Sequence, residues 1–418
     1  MRALGLDIGT TTLSCSLWED GREADCATLA HGADMEPDCP GAHIQDPDKL
    51  VRMALDMAGR FGHVDAVGLT GQMHGIVYVD LSGRAVSPLY TWQDTRSRDV
   101  ACELKAKGLN AAAGYGLVTH AYLSRRGQAP KDARIMTIMD LVGLRLCGNV
   151  VMHASNAASL GGFDAQNGEF DTHALHLLHA DRDMLPPVTD TAQVMGVTHE
   201  GVKVVTAIGD NQASYLGAAG GDGVLVTLGT GGQVSAAIAE YRECPPCEVR
   251  PLDGGRYLAV GSILCGGRAY AIWERFLRMC AGLAGNEPES LYDAMNRMAL
   301  EDGTDDPLFL PLFCGSREDP TARGEIRGLT EENLTPAALT RSLLGGLCEE
   351  VYGYYEPLGL GRPHRVYASG NAIRKNAALQ RMLEVRFGAP VVLSPAREEA
   401  AFGAARLAAD ALSKGERV

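Results

Sequence analysis

The chain has no G-x-x-x-x-G-K-[ST] loop, so it is not a P-loop nucleotide enzyme. No G-x-G-x-x-G follows a strand where a dinucleotide would need one. No G-x-S-x-G elbow supports Ser-His-Asp hydrolase chemistry. Basic blocks are absent: 38 Lys+Arg against 52 Asp+Glu give a net charge of -14. That makes nucleic acid and anionic membrane poor partners. No apolar run reaches the roughly 18 residues of a membrane span. The N-terminus enters a strand directly, without the charged and apolar regions of a signal peptide. The 11 cysteines show no disulfide-like rhythm, which fits a reducing compartment. Together these absences set a cytoplasmic expectation. Cys244-Pro-Pro-Cys247 is the one CxxC, and it lacks the partner pair of a zinc site.

What the chain does have is length and two short loops. Its 418 residues suffice for two domains and a large core. The hydrophobic fraction of 46% and aromatic fraction of 6% are those of a globular protein. Asp7-Ile8-Gly9-Thr10-Thr11-Thr12 follows the apolar run Ala3-Leu4-Gly5-Leu6. Leu228-Gly229-Thr230-Gly231-Gly232-Gln233 follows Gly223-Val224-Leu225-Val226-Thr227. Each loop leads into a further apolar run, the context of a β-hairpin whose turn offers N–H groups and hydroxyls to an anion. Two such loops suggest a nucleotide phosphate tail held between related halves.

Strand and helix patterns alternate, which is an α/β reading. Helices are expected over 47–59, 97–107, 131–146, 173–180, 268–283, 288–301, 336–356, 376–387 and 398–411. Strands are expected over 64–69, 76–81, 202–208, 366–369 and 391–393. A domain boundary near Gly220-Gly221 gives blocks 1–219 and 220–418.

Asp7 ends the first strand beside the loop, where a carboxylate can hold Mg²⁺ next to phosphate oxygens or simply cap the turn. Gly9, Gly229, Gly231 and Gly232 allow a ligand to approach the backbone, and Thr10, Thr11, Thr12 and Thr230 belong to the same loops. Asp210 sits at a strand end before a helical run, as a general base for a hydroxyl, as a helix cap, or as both. Gln72-Met73-His74 and Trp92-Gln93-Asp94-Thr95-Arg96 are polar clusters suited to a polyhydroxylated ligand.

In this order the segments resemble the FGGY family of carbohydrate kinases, from about Leu4 to Ala409. The resemblance implies two ribonuclease-H-like (actin-like ATPase) domains flanking a central cleft. It implies ATP and Mg²⁺ as cofactors and a ketose as substrate, with a homodimer as one option. Asp7–Thr12 and Leu228–Gln233 resemble the phosphate loops, and Asp7 takes the metal side. Gly209-Asp210-Asn211-Gln212 resembles the catalytic-base segment. Gln72, Met73, His74, Trp92, Asp94, Asp210 and Asn211 are thereby expected at the sugar. Ser369-Gly370-Asn371 resembles the adenosine segment, so Gly370 and Asn371 join the nucleotide set. Thr91-Trp92-Gln93-Asp94 and Gly370–Asn376 bring the match nearest to sedoheptulokinase-like members. A pentulose kinase such as a xylulokinase is the alternative, and a non-catalytic sugar or nucleotide sensor is the reading from another class. The chain departs from the family pattern at Ser14, where many members carry Lys or Arg, at Asn371, and in its short length.

Overall fold

The computed structural model describes residues 1–301, 303 and 305–415. Its frame is two six-stranded sheets. The first holds β1 (Arg2–Ile8), β2 (Thr12–Glu19), β3 (Arg22–Ala30), β4 (Ala66–Gly71), β5 (Val194–Val197) and β6 (Lys203–Val205), in the order β5-β6-β4-β1-β2-β3. The second holds β7 (Val224–Leu228), β8 (Gly232–Ile238), β9 (Glu248–Pro251), β10 (Tyr257–Ile263), β11 (Val366–Ser369) and β12 (Val391–Leu393), in the order β9-β10-β8-β7-β11-β12. In both, a Gly-Thr loop closes an antiparallel hairpin, β1–β2 or β7–β8. A third antiparallel strand, β3 or β10, follows on one side. Two parallel strands follow on the other, β4 and β6 or β11 and β12. The repeat suggested by the loops thus extends over five strands of each half. The inner strands are buried on both faces, which is why β1 and β7 read as continuous apolar runs.

The helices that matter here are α1 (Pro47–Ala58), α2 (Ile138–Cys147), α3 (Ala154–Leu160), α4 (Asp210–Ala219), α5 (Gly267–Leu283), α6 (Pro336–Tyr355), α7 (Ala377–Phe387) and α8 (Glu399–Gly415). Asp46 starts α1 by accepting from the Lys49 N–H at 2.9 Å, with Pro47 in the first turn. Where one helix is expected over 131–146, a strand (Arg134–Met136) precedes α2. The reason is local: Thr137 and Asp140 form a reciprocal capping box, so the helix begins after Thr137. Helix 173–180 shrinks to Thr172–Leu177, and helix 288–301 to Tyr292–Ala299.

α4 and α8 lie side by side between the sheets. α8, the last helix, packs on β1 and β4 of the first sheet, while α4 also reaches β7 and β11 of the second. Glycines let these backbones touch. A Cβ on Gly5 or Gly68 would stand 1.8 or 2.0 Å from carbonyl oxygens of α8. A Cβ on Gly403 would stand 1.8 Å from the Ala213 carbonyl of α4. The block 220–418 therefore closes with a helix seated on the first sheet. One core cluster joins Ala3, Ala66, Tyr215, Leu225, Leu258, Ala405 and Leu412 across both halves.

Candidate active site

Both Gly-Thr loops leave their sheets at the C-terminal ends of β1 and β7. Within the first, the Gly9 N–H donates to the Thr12 carbonyl at 3.0 Å. A Cβ on Gly9 would sit 2.9 Å from that oxygen, so the tight turn requires glycine. The loop is held in place by its neighbours. Gln45 Nε2 donates to the Thr10 carbonyl at 2.8 Å, His31 Nε2 contacts it at 3.0 Å, and Trp92 Nε1 donates to Thr10 Oγ1 at 2.9 Å. The second loop is braced by the start of α5: the Gly267 and Arg268 N–H groups donate to the Gly229 and Thr230 carbonyls at 2.7 and 3.1 Å. Gly370 (φ 87°) joins it, since a Cβ there would lie 2.3 Å from the Leu228 carbonyl. Asn371 is exposed at the start of the short helix Asn371–Arg374. Gly229–Gly232 and Gly370–Asn371 are thus neighbours although about 140 residues separate them in the chain.

Asp7 is the penultimate residue of β1, opposite Ser14 and Thr70. The matching register position in the second half is Thr227, opposite Gln233 and Ser369. Only one of the two loops therefore carries a carboxylate at that place. Asp7 Oδ1 is buried and has no hydrogen-bond partner. Burial first, and then the Asp210 and Glu398 carboxylates, push the Asp7 carboxyl up to about 7. An orphaned, mutually repelling carboxylate beside a phosphate-type loop fits a divalent cation. No cluster of three His, Cys, Asp or Glu suited to a metal occurs among the described residues. A cation there would take its other ligands from water and phosphate oxygens, as Mg²⁺ does.

Asp210 is the first residue of α4, after Gly209 in extended conformation. Burial raises its carboxyl to about 6, against the Asn211 N–H, which donates to Oδ1 at 2.6 Å, and the nearby Arg250 guanidinium. It is ionised at neutral pH yet basic enough to take a proton. α3 supports this turn: Ser155 Oγ accepts from the Gly209 N–H at 3.0 Å, and Asn156 Nδ2 donates to the Ala207 carbonyl at 2.9 Å.

The same helix fixes His74. That residue has φ 71°, and its Nδ1 meets the Ser159 carbonyl at 2.7 Å. A carbonyl can only accept, so Nδ1 carries the proton and Nε2 is left as an acceptor. Burial and Arg250 hold the His74 imidazole down to about 4, so it is neutral. Its ring stacks on Tyr115 at 4.8 Å. A cleft of about 490 Å³ opens here, lined by His74, Tyr115, Ser159, Cys247, Glu248 and Arg250. Glu248 and Arg250 form an ion pair, and both come from β9 of the second sheet.

Of the residues expected at the sugar, His74 lines this cleft. Trp92 is 46% exposed at the first loop. Gln72 and Met73 are buried beneath: Gln72 Nε2 donates to Gln45 Oε1 at 2.9 Å, while its Oε1 has no partner. Met73 packs under Gly209, with Asn211 Nδ2 at 3.9 Å from its sulfur. Asp94 departs from the expectation. It is 0% exposed and both oxygens receive Arg96 Nε at 2.9 Å, with the His43 N–H at 3.1 Å. It holds a loop in place instead of facing the cleft. Ser14 donates to or accepts from Thr28 at 3.0 Å. Arg250, Glu248 and the α3 residues Ser155, Asn156 and Ser159 escaped the sequence reading. They carry no motif, and α3 is a short run of small residues without amphipathic spacing.

Residues 2–229 match the model of the FGGY family of carbohydrate kinases, N-terminal domain, and residues 224–412 match its C-terminal domain. Sedoheptulokinase of Mus musculus is 27% identical, covering 96% of this chain and 96% of its own. The fold is that of a xylulose kinase from Rhodospirillum rubrum, with a TM-score of 0.84 at 23% identity over 100% of this chain and 91% of the other. Plasmodium falciparum glycerol kinase with ADP has the same fold, with a TM-score of 0.80 at 18% identity over 99% and 90%. With two family models spanning nearly its whole length, the chain belongs to the FGGY family of carbohydrate kinases.

Proposed function

We propose that this carbohydrate kinase transfers the terminal phosphoryl group of ATP to the terminal primary hydroxyl of a ketose, sedoheptulose, giving sedoheptulose 7-phosphate and ADP. The observation that carries the chemistry is Asp210: a carboxylate with a raised pKa at a helix start, within electrostatic reach of Asp7 and of Arg250, which lines the cleft. The support for the acceptor is the likeness to mammalian sedoheptulokinases along 96% of both chains.

In this reading the hydroxyl proton passes to Asp210 as its oxygen bonds to phosphorus. The Gly9–Thr12 and Gly229–Gly232 loops position the phosphate tail, and Gly370 and Asn371 border the adenosine. His74 Nε2 accepts from a sugar hydroxyl, and the Glu248–Arg250 pair offers an acceptor and donors to others. Met73 and Asn211 pack together by the Asp210 turn, Gln72 and Trp92 brace the first loop, and Asp94 holds its own loop through Arg96. Mg²⁺ bound near Asp7 would neutralise charge on the transferred group. The acceptor cleft draws on both sides of the division at 219/220, with His74, Tyr115 and Ser159 from the first half and Cys247, Glu248 and Arg250 from the second. The free state of all the cysteines fits a reducing, cytosolic setting.

ADP release measured with sedoheptulose, D-xylulose, D-ribulose, D-fructose and glycerol tests the substrate. A preference for sedoheptulose of tenfold or more in kcat/KM, about 1.4 kcal/mol, is expected. A preference for xylulose moves the acceptor to a pentulose and leaves the mechanism. Asp210→Asn should lower kcat by about 10²- to 10⁴-fold while sugar still binds. Wild-type turnover in that variant would remove Asp210 as base.

A further inference from the structure

A second, larger cavity of about 830 Å³ is walled on one side by the far end of the first sheet and on the other by the segment Pro395–Arg397, which follows β12, and none of its lining residues belongs to the two phosphate loops. The register shows the separation: Ile8 and Leu13 flank the first phosphate loop, whereas Arg2 and Glu19 lie at the far end of the same hairpin, next to the Asp20–Gly21 turn. α4 runs from Asp210 in the active site to Gly220, which lines this cavity. The walls come from both halves: β3 of the first sheet, Tyr367 of β11, the segment before α8, and α8 itself.

Three arginines line it: Arg22, Arg397 and Arg406. None of the three has a carboxylate within ion-pair distance among the described residues. The Arg406 guanidinium lies against Gly220, where a Cβ would come within 2.7 Å of Nη1. Two carboxylates share the wall, which leaves the three guanidinium groups in excess by one charge. Glu23 takes Ser16 Oγ at 2.8 Å and the Arg397 N–H at 2.9 Å, and Asp25 takes the Cys26 N–H at 2.8 Å. In a chain of net charge -14, three unspent guanidinium groups around one cavity are a concentrated donor set for an anion. The guanidinium fork matches phosphate oxygens, and the cavity is in the size range of small-molecule sites. Tyr367 offers a surface for an organic body.

We propose that this cavity binds a phosphorylated small molecule carrying at least two negative charges, at a site separate from the nucleotide loops. The test is calorimetric titration of inorganic pyrophosphate into full-length protein saturated with ADP, so that the phosphate loops are filled. Pyrophosphate should bind, and Arg22→Ala/Arg406→Ala should weaken it by about tenfold or more while sugar kinase turnover persists. Arg22→Ala/Arg397→Ala, both at exposed positions, is the pair to use should the Arg406 change disturb folding. It should weaken binding likewise. Absence of binding by the wild type at millimolar pyrophosphate, or binding by both double variants at wild-type strength, overturns the proposal.

Discussion

Asp7 shows how a residue can be costly to the fold and useful to the site. Its carboxyl is ordinary in the unfolded chain, near 3.8, and rises to about 7 when folded. Below 3.8 both states carry the proton and the group costs nothing. As pH rises from about 4 to 7 the unfolded chain ionises first, so stability is progressively lost; above 7 the loss is complete. Asp7→Asn should therefore melt higher than wild type at pH 8 in metal-free buffer, by on the order of 2–4 kcal/mol, and match it near pH 4. Equal melting temperatures at both values would show that Asp7 is not held against repulsion. Asp210 gives the complementary pH signature, in turnover. It works as a carboxylate, so kcat/KM should fall as pH drops through about 6. Arg250 helps keep that carboxyl ionised, so Arg250→Met should move the acidic limb to higher pH. A limb that stays in place would free Asp210 from Arg250. Arg250 itself could not be read from sequence, because its nearness to Asp210 arises only from β9 folding back over the cleft.

Among the elements, the α4–α8 pair combines a shared apolar core with close backbone contact at its glycines. Gly403 faces the Ala213 carbonyl and Gly217 faces the Glu399 carbonyl, at 1.8 and 2.1 Å from where a Cβ would stand. Backbone cannot yield as a side chain can, so the helices must separate to admit a methyl group. Gly403→Ala should cost about 1–3 kcal/mol, read by urea denaturation. A neutral result would mean that the pair slides freely. The hairpins and their loops were legible because glycine and threonine between apolar runs have few other uses. β3 was not: Arg22–Ala30 is an edge strand with exposed, charged positions, and its order comes from pairing with β2. β9 and β10 were hidden for a similar reason, since their place in the second sheet is set by long-range pairing with β8. The Asp94–Arg96 pair was hidden because a Trp-Gln-Asp-Thr-Arg run shows polar groups without showing which of them bond to one another.

The whole molecule is two copies of one sheet plan, tied by an exchange of coverage. The first sheet is completed by α8, which arrives from the far end of the chain, and α4 lies against α8 while reaching the second sheet. Ala3, Ala66 and Val205 of the first sheet share a core with Ala405, Ala408 and Leu412 of α8. A chain ending at 219 would leave that face of the first sheet bare, with Gly5 and Gly68 offering no side chains to cover it. Burial of apolar surface is the main favourable term in folding, and here it is supplied by a segment about 180 residues downstream. Residues 1–219 expressed alone should therefore lack a cooperative thermal transition, although they contain Asp7, His74, Asp210 and an entire sheet. Co-expression with residues 220–418 should restore one, along with kinase turnover. If 1–219 unfolds cooperatively by itself, the first half is an independent domain, and α8 serves the joint between the halves and not the fold of either.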